Sequence, residues 1–502
     1  MMHKILIAVL FLLTTLPAAA KFDFNNNCHR AYEEMMLFKF DAAQKILDSE
    51  KQLHPDNVVS QYIEAYILFW KAALNENEEE MDEYESFTDN VIDLIEDDEQ
   101  VSPYKLYFLS DMYLRGAYLK VIKKSYLAAV YRFNKAYNMA WENRKKYPDF
   151  IPNKKLIGLM NVGIGTVPKN YNWVLKLFDF EGNIQQGLTE LNQLLVVASF
   201  EPKYHYLLSE SLLLYSFTML NFEVSKESEQ NLLAIFKWDA IQEQMKHNQF
   251  MVLAKASFLK HIKQNDQAIA CMQNLKPESA SMHFYYLDYM LGECMLYKLD
   301  YGAAKHLKYY VDHYHGLSYR RSACQKLAWV NLLQGNTQAY KTTMAACLSL
   351  GDDNRDSDKQ ATKEAEAAKE GIVPNVTLIK ARLLFDGGYF ARAEQVLLAA
   401  DTKNFNEHDQ LEYSYRLGRI YDEWGKTKQA IAKYRYCIAT GKDTPYYFAA
   451  NSALHLGYIY ENQGDTVMAQ TLYRQCLDMD FEEYQNSITQ KAKAALGRLE
   501  KD

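Results

Sequence analysis

The 502-residue sequence predicts an all-α chain whose helical hairpins stack into an α-solenoid. Three observations carry that expectation. Chain breakers are scarce, with 10 prolines and 20 glycines against the roughly 5% and 7% of average proteins, which leaves few turns for β-hairpins. Two segments near the C-terminus superpose without a gap at an offset of 39 residues. Inside each segment, apolar and small residues recur at helical spacing.

Leu417-Gly418, Tyr421, Gly425, Ala430, Tyr434 and Cys437 return as Leu456-Gly457, Tyr460, Gly464, Ala469, Tyr473 and Cys476. Leu417, Gly418 and Tyr421 share one face of a first helix, and Ala430, Tyr434 and Cys437 share one face of a second. Gly425 and Gly464 separate the helices, where a left-handed turn is expected. Gly418 and Ala430 lack bulk where antiparallel helices must approach, and the tyrosines fill the space beside them. Such a hairpin cannot bury its apolar face alone. Stacking successive hairpins completes the core.

This order of Leu-Gly, an aromatic, then Ala, an aromatic and a small residue resembles the tetratricopeptide repeat. That family repeats about every 34 residues, so the longer period here implies a longer helix or linker per unit. Weaker copies lie upstream: Ala43, Leu47 and Pro55; Ala129, Phe133 and Ala136; Ala256 with Ala268; Gly292 with Ala304; and Gly388, Ala393 and Leu397.

A second resemblance covers 156–195. Val167-Pro168, the run Trp173 to Asn183 and Gly187-Leu188-Thr189-Glu190-Leu191 resemble the signature of the tetratricopeptide repeat domain 39 family, which includes the fungal inclusion-body clearance proteins. Asp179 stands where that family usually has Gly. Read from the residues alone, Gly158, Gly163, Gly165 and Pro168 interrupt an apolar stretch and Gly182 restarts a helix. Both a plain helix–loop–helix insert and a special site fit that pattern.

The expected organisation is a signal peptide at 1–20, an N-terminal helical array at 21–150, the Gly-interrupted insert at 151–200 and middle repeats at 201–350. A linker at 351–375 follows, then C-terminal repeats and a capping helix at 376–502. Lys4, the apolar run Ile5 to Leu16, and Pro17 before Ala18-Ala19-Ala20 read as a secretory signal cut before Lys21, which places the chain in a periplasm or outside the cell. A run of twelve residues falls short of the ~20 of a spanning helix, so no transmembrane insertion is expected after cleavage. The linker is read from Gly351-Asp352-Asp353-Asn354 at one end and Gly371 with Pro374 at the other, although Ala361–Ala368 favours helix. Lys491 to Lys501 reads as the capping helix.

A net charge of −8 excludes a general nucleic-acid binder, which needs clustered Lys and Arg. No HExxH, GxSxG, Walker loop or CxxC pair occurs, and Gly163-Ile164-Gly165 lacks the third glycine of a dinucleotide loop. No cofactor, metal or catalytic residue is expected. The seven cysteines are expected to act mostly as small buried side chains. Cys437 and Cys476 sit one repeat apart, at ~8–10 Å or beyond, and should stay unbridged. His306, His313 and His315 read as solvated helix ends. Residues 76–99 hold thirteen acids and no Lys or Arg, but Tyr84, Phe87, Val91, Ile92 and Ile95 run through them at near-helical spacing. A solvated outer helix face is expected there.

In repeats like these, the first helix of each pair lines a groove. Helical spacing around Gly418 and Gly457 puts Glu412, Tyr415, Arg419 and Asp422, then Asn451, Leu454, Tyr458 and Glu461, on an exposed strip. That strip is the candidate partner groove for a protein or peptide segment. The leading expectation is a non-enzymatic exported scaffold for protein–protein interaction in the cell envelope. The 38 tyrosines, dense over 283–319, leave open a carbohydrate or small-ligand binder. A hydrolase with dispersed catalytic carboxylates is the third reading.

Overall fold

The computed structural model describes residues 21–167, 172–222 and 225–500. The expected signal peptide, Pro168 and Lys501 lie outside them. The described residues form α-helices and short 3-10 turns, with no strand. No helix among them is long and apolar enough to cross a membrane.

The chain divides into two compact units. The first takes the described residues of Met1–Ile262, with Asp266–Asp288 and Tyr310–Arg320; the second takes Lys263–Asn265, Tyr289–Tyr309 and Arg321–Asp502. The division cuts through the expected 201–350 block rather than falling at its ends. Neighbouring hairpins share their apolar faces, so no change in composition marks such a boundary.

In the first unit, α1 (Asn26–Met36) pairs with α2 (Phe40–Leu53), α3 (Val59–Asn75) with α4 (Glu78–Glu96), and α5 (Pro103–Ile122) with α6 (Tyr126–Lys146). Asn25, Asn77 and Ser102 cap α1, α4 and α5 by accepting first-turn N–H groups. α4 buries Met81, Tyr84, Val91, Ile92 and Ile95 and turns most of its acids outward, as its spacing predicts. Then come α7 (Asn153–Gly165), α8 (Asn172–Leu177), α9 (Ile184–Phe200), α10 (Leu208–Phe222), α11 (Lys226–Ile235), α12 (Asp239–Met245) and α13 (Gln249–His261).

The segment 156–195 is a helix–loop–helix, with one correction to the expectation. Gly158 and Gly163 do not interrupt α7, which runs through both to Gly165. Gly158 instead serves the contact with α9: a Cβ there would lie 2.7 Å from Leu191, and one on Gly187 would lie 2.7 Å from the Gly158 carbonyl oxygen.

Five helices of this unit meet at a buried charge cluster. Lys155 Nζ on α7 lies 3.3 Å from carboxylate oxygens of both Asp111 on α5 and Glu210 on α10. The hydroxyls of Tyr32 on α1 and Tyr66 on α3 donate to Glu210, and the Tyr62 hydroxyl donates to Asp111. Arg115 pairs with Asp111 and donates to the Tyr62 hydroxyl oxygen at 3.0 Å. Two acids and two bases cancel, which is what permits their burial.

Helices α14 (Asn265–Gln273), α15 (Tyr285–Tyr297) and α16 (Ala303–His313) carry residues of both units. Gly292 packs against Leu307, with a Cβ 2.8 Å from the leucine. Tyr289, Tyr310 and Tyr314 are buried, so these rings of the 283–319 stretch pack in cores instead of lining a surface.

The second unit continues with α17 (Arg320–Leu333), α18 (Thr337–Cys347) and α19 (Asp356–Lys369). Residues 351–375 are thus no free linker. α19 buries Asp358, Ala361, Ala365 and Ala368; Asp358 accepts the Ser322 N–H at 2.9 Å and Glu364 accepts Trp329 Nε1 at 2.7 Å. Its polar composition reflects one outward face, while the alanines every three or four residues allow close packing. Cys324 and Cys347 form a disulfide between α17 and α18, with Cα atoms 5.5 Å apart.

The C-terminal hairpins are α20 (Val376–Asp386) with α21 (Phe390–Leu398), α22 (Glu407–Glu423) with α23 (Thr427–Gly441), and α24 (Phe448–Asn462) with α25 (Thr466–Asp478). α26 (Gln485–Leu499) closes the row and begins six residues before the expected cap. First helices pack on one another from layer to layer, α20 on α22, α22 on α24 and α24 on α26. Gly425 and Gly464 adopt the left-handed turn, with φ of 74° and 82°. Leu417, Ala430, Tyr434, Leu456, Ala469 and Tyr473 are all buried in one core.

Candidate functional site

The row of first helices carries a concavity in the second unit. α20, α22, α24 and α26 enclose a cavity of about 490 Å³. Five of the eight predicted groove residues line it: Tyr415, Arg419, Asn451, Leu454 and Tyr458. Glu412, Asp422 and Glu461 do not. Glu412 accepts from Arg416 Nε at 2.6 Å, Asp422 accepts from the Tyr434 hydroxyl at 3.0 Å, and Glu461 accepts from Tyr473 and from Arg498 Nη2 at 3.1 Å. Asp422 and Glu461 thus fasten the two helices of their hairpins, whereas Glu412 pairs within α22.

The expected solvent exposure of the strip needs correction. Tyr415 is 7% and Leu454 1% exposed, and the other six are half-buried. Successive first helices pack edge to edge, so residues facing the groove also touch the next layer. Tyr415 shows it: its ring meets Tyr447 and Phe448 of the following hairpin, and its hydroxyl accepts from Asn451.

Ten further lining residues lay outside the predicted strip, among them Arg382, Arg416, Tyr447, His455, Tyr484 and Lys491. Tyr447 stands one helical turn before Asn451 on the same face, so extending the spacing backwards reaches it. Tyr484 and Lys491 come with α26, whose start is hidden because Tyr484 enters it with φ of 58° and no capping side chain.

The site is basic and aromatic. Arg382, Arg416, Arg419 and Lys491 face it against the single carboxylate Asp386. Arg416 is held by Glu412, and Arg419 by Glu423 at 3.0 Å. Burial, reinforced by Arg419 and Lys491, holds His455 well below the ordinary histidine range. The neutral imidazole accepts from Arg419 at 2.6 Å. Burial also pushes the Tyr415 and Tyr447 phenols up, so both remain neutral donors. Such an arrangement offers charged and neutral donors to carboxylates and carbonyls, and ring faces to apolar groups.

At the start of α22, His408, Asp409 and Glu412 bring potential ligand atoms within 4.8 Å of one another. Protein donors already engage the carboxylates, Asn375 holding Asp409 at 2.8 Å and Arg416 holding Glu412.

Stacked hairpins with a groove along their first helices define a helical-repeat scaffold of the kind that serves protein–protein interaction. Residues 450–483, which span α24 and α25, match the tetratricopeptide repeat family. The α24–α25 hairpin is thus a tetratricopeptide repeat. No curated protein matches it. Among solved structures, the APC/C hetero-tetramer Cut9–Hcn1 is similar at 11% identity, over 95% of this chain and 99% of that one, with a TM-score of 0.22.

Proposed function

We propose that the chain is an exported, non-enzymatic scaffold that captures an extended polypeptide segment of another cell-envelope protein in the cavity between α20, α22, α24 and α26. The convergence of Tyr415, Arg419, Asn451, Leu454 and Tyr458 on that one cavity carries the reading. Hydrogen-bonding groups there come from side chains that packing holds in place, so little ordering entropy opposes binding.

Export is supported by the basic start, the apolar run and the small residues before Lys21. The Cys324–Cys347 bond agrees with an oxidising compartment. Cell fractionation with N-terminal sequencing tests this part: a mature chain beginning at Lys21 outside the cytoplasm is expected, and an intact cytoplasmic chain rejects it.

The groove is tested by crosslinking and pulldown with Ser487→Trp plus Lys491→Glu. Both positions are exposed on α26, so the core is untouched. Loss of captured proteins relative to the wild type is expected; undiminished recovery of every partner rejects the site.

A further inference from the structure

The first turns of α22 carry His408, Asp409 and Glu412, and His408 and Glu412 stand one helical turn apart on the same face. His408 Nδ1 lies 3.2 Å from Asp409 Oδ1 and 4.0 Å from Glu412 Oε2, and the three atoms converge within 4.8 Å. The other oxygen of each carboxylate is held from outside the triad. Asn375 Nδ2 donates to Asp409 Oδ2 at 2.8 Å, and Arg416 Nε donates to Glu412 Oε1 at 2.6 Å. Asn375 is itself fixed, because its Oδ1 caps α20. The His408 ring is set edge-on against Tyr446 and Phe448, at 4.9 and 5.2 Å between centroids.

We propose that His408 Nδ1, Asp409 Oδ1 and Glu412 Oε2 bind a divalent transition cation of the zinc class, with its remaining position open to solvent. One imidazole with two carboxylates is a zinc ligand set, and three protein ligands leave the fourth position free. In a tetrahedral site with bonds of ~2.0–2.1 Å the ligand atoms stand ~3.3 Å apart, so the His408–Asp409 spacing already fits and Glu412 has about 0.7 Å to close on the imidazole. Asn375 and Arg416 act as outer-shell groups do in metal sites: each orients a carboxylate by one oxygen and leaves the other to face inward. Protein groups alone serve that inward face poorly. Nδ1 has one proton for two carboxylates, and Glu412 Oε2 accepts no hydrogen bond among the described residues although its side chain is only 13% exposed. Two carboxylates against the one guanidinium of Arg416 leave a negative charge over, and Arg382 is paired with Asp386. When Nδ1 binds the cation, Nε2 carries the ring proton toward water, the His408 side chain being 41% exposed. None of the three lines the cavity between the first helices, so the site stands whether or not the polypeptide reading holds.

Calorimetric titration of the chelator-treated full chain with zinc chloride tests the proposal, with magnesium chloride as the oxygen-seeking control. The tightest zinc event should saturate at one ion per chain, and magnesium should bind far more weakly. His408→Ala should weaken zinc about tenfold or more, and Glu412→Gln should do the same while its amide oxygen still accepts from Arg416. Circular dichroism checks that both variants keep their helices; if Glu412→Gln does not, His408→Ala, at a half-exposed ring, decides. No saturable zinc binding, equal binding of magnesium, or unchanged zinc affinity in a folded variant overturns the proposal.

Discussion

Asn451 on α24 donates from Nδ2 to the Tyr415 hydroxyl on α22 at 2.7 Å, tying two neighbouring first helices across the wall of the cavity. Tyr415 is buried, so little water can replace that bond. Asn451→Leu should therefore destabilise the chain by about 1–3 kcal/mol, the cost of a stranded buried polar group. Adding Tyr415→Phe removes the stranded hydroxyl and should restore part of the loss. Urea unfolding of the two single variants and the double variant checks it; strictly additive losses would contradict the bond's role.

Gly457 faces Tyr473 so closely that a Cβ would lie 2.3 Å from its ring, and Gly418 stands in the same relation to Tyr434 at 2.6 Å. Alanine is the better helix former by about 1 kcal/mol, yet overpacking a buried site costs about 1–3 kcal/mol. Gly457→Ala should lower the melting temperature, and Tyr473→Leu in the same chain should relieve it. A Gly457→Ala variant that melts higher would mean that the hairpin has slack.

The buried cluster in the first unit should make stability acid-sensitive. Burial alone would raise the Glu210 pKa, but Lys155 and the hydroxyls of Tyr32 and Tyr66 outweigh it and hold the carboxyl below its ordinary 4.5. A depressed native pKa adds stability that is complete above the unfolded value and erodes as pH falls through the native one. Stability should thus drop below about pH 4.5, and Glu210→Gln should cost about 3–5 kcal/mol at neutral pH by leaving an uncompensated buried cation. Thermal melts from pH 7 to pH 3 decide this; a Glu210→Gln chain as stable as wild type would remove the cluster from the core's support.

Cysteine reactivity should follow burial. Cys437 and Cys476 are buried thiols, pushed up by burial to about 11 and about 12, and form no bond with each other. Native alkylation should spare both, and denaturation without reductant should expose them while Cys324 and Cys347 stay joined. Peptide mapping by mass spectrometry would refute the repeat register if it found Cys437 linked to Cys476.

The hairpins were readable because their determinants are local. Gly425 and Gly464 take left-handed turns, and Gly418 with Tyr434 and Gly457 with Tyr473 make the close approaches implied by their spacing. The polar run around Ala361–Ala368 misled because its composition resembles a linker, whereas the alanine stripe is what packs. Groove residues were readable up to the edge of each helix face. Their burial was not, since it depends on the next layer.

Residue order alone specified the helices, their turns and which side chains share a face, because those follow from interactions across three or four positions. It did not specify that Arg382 and Lys491, more than a hundred residues apart, line one cavity. Nor did it specify that Asp111, Lys155 and Glu210 neutralise one another in the first unit. Those juxtapositions depend on how far apart and at what register separate helices settle, and only the packing of whole faces against one another chooses that.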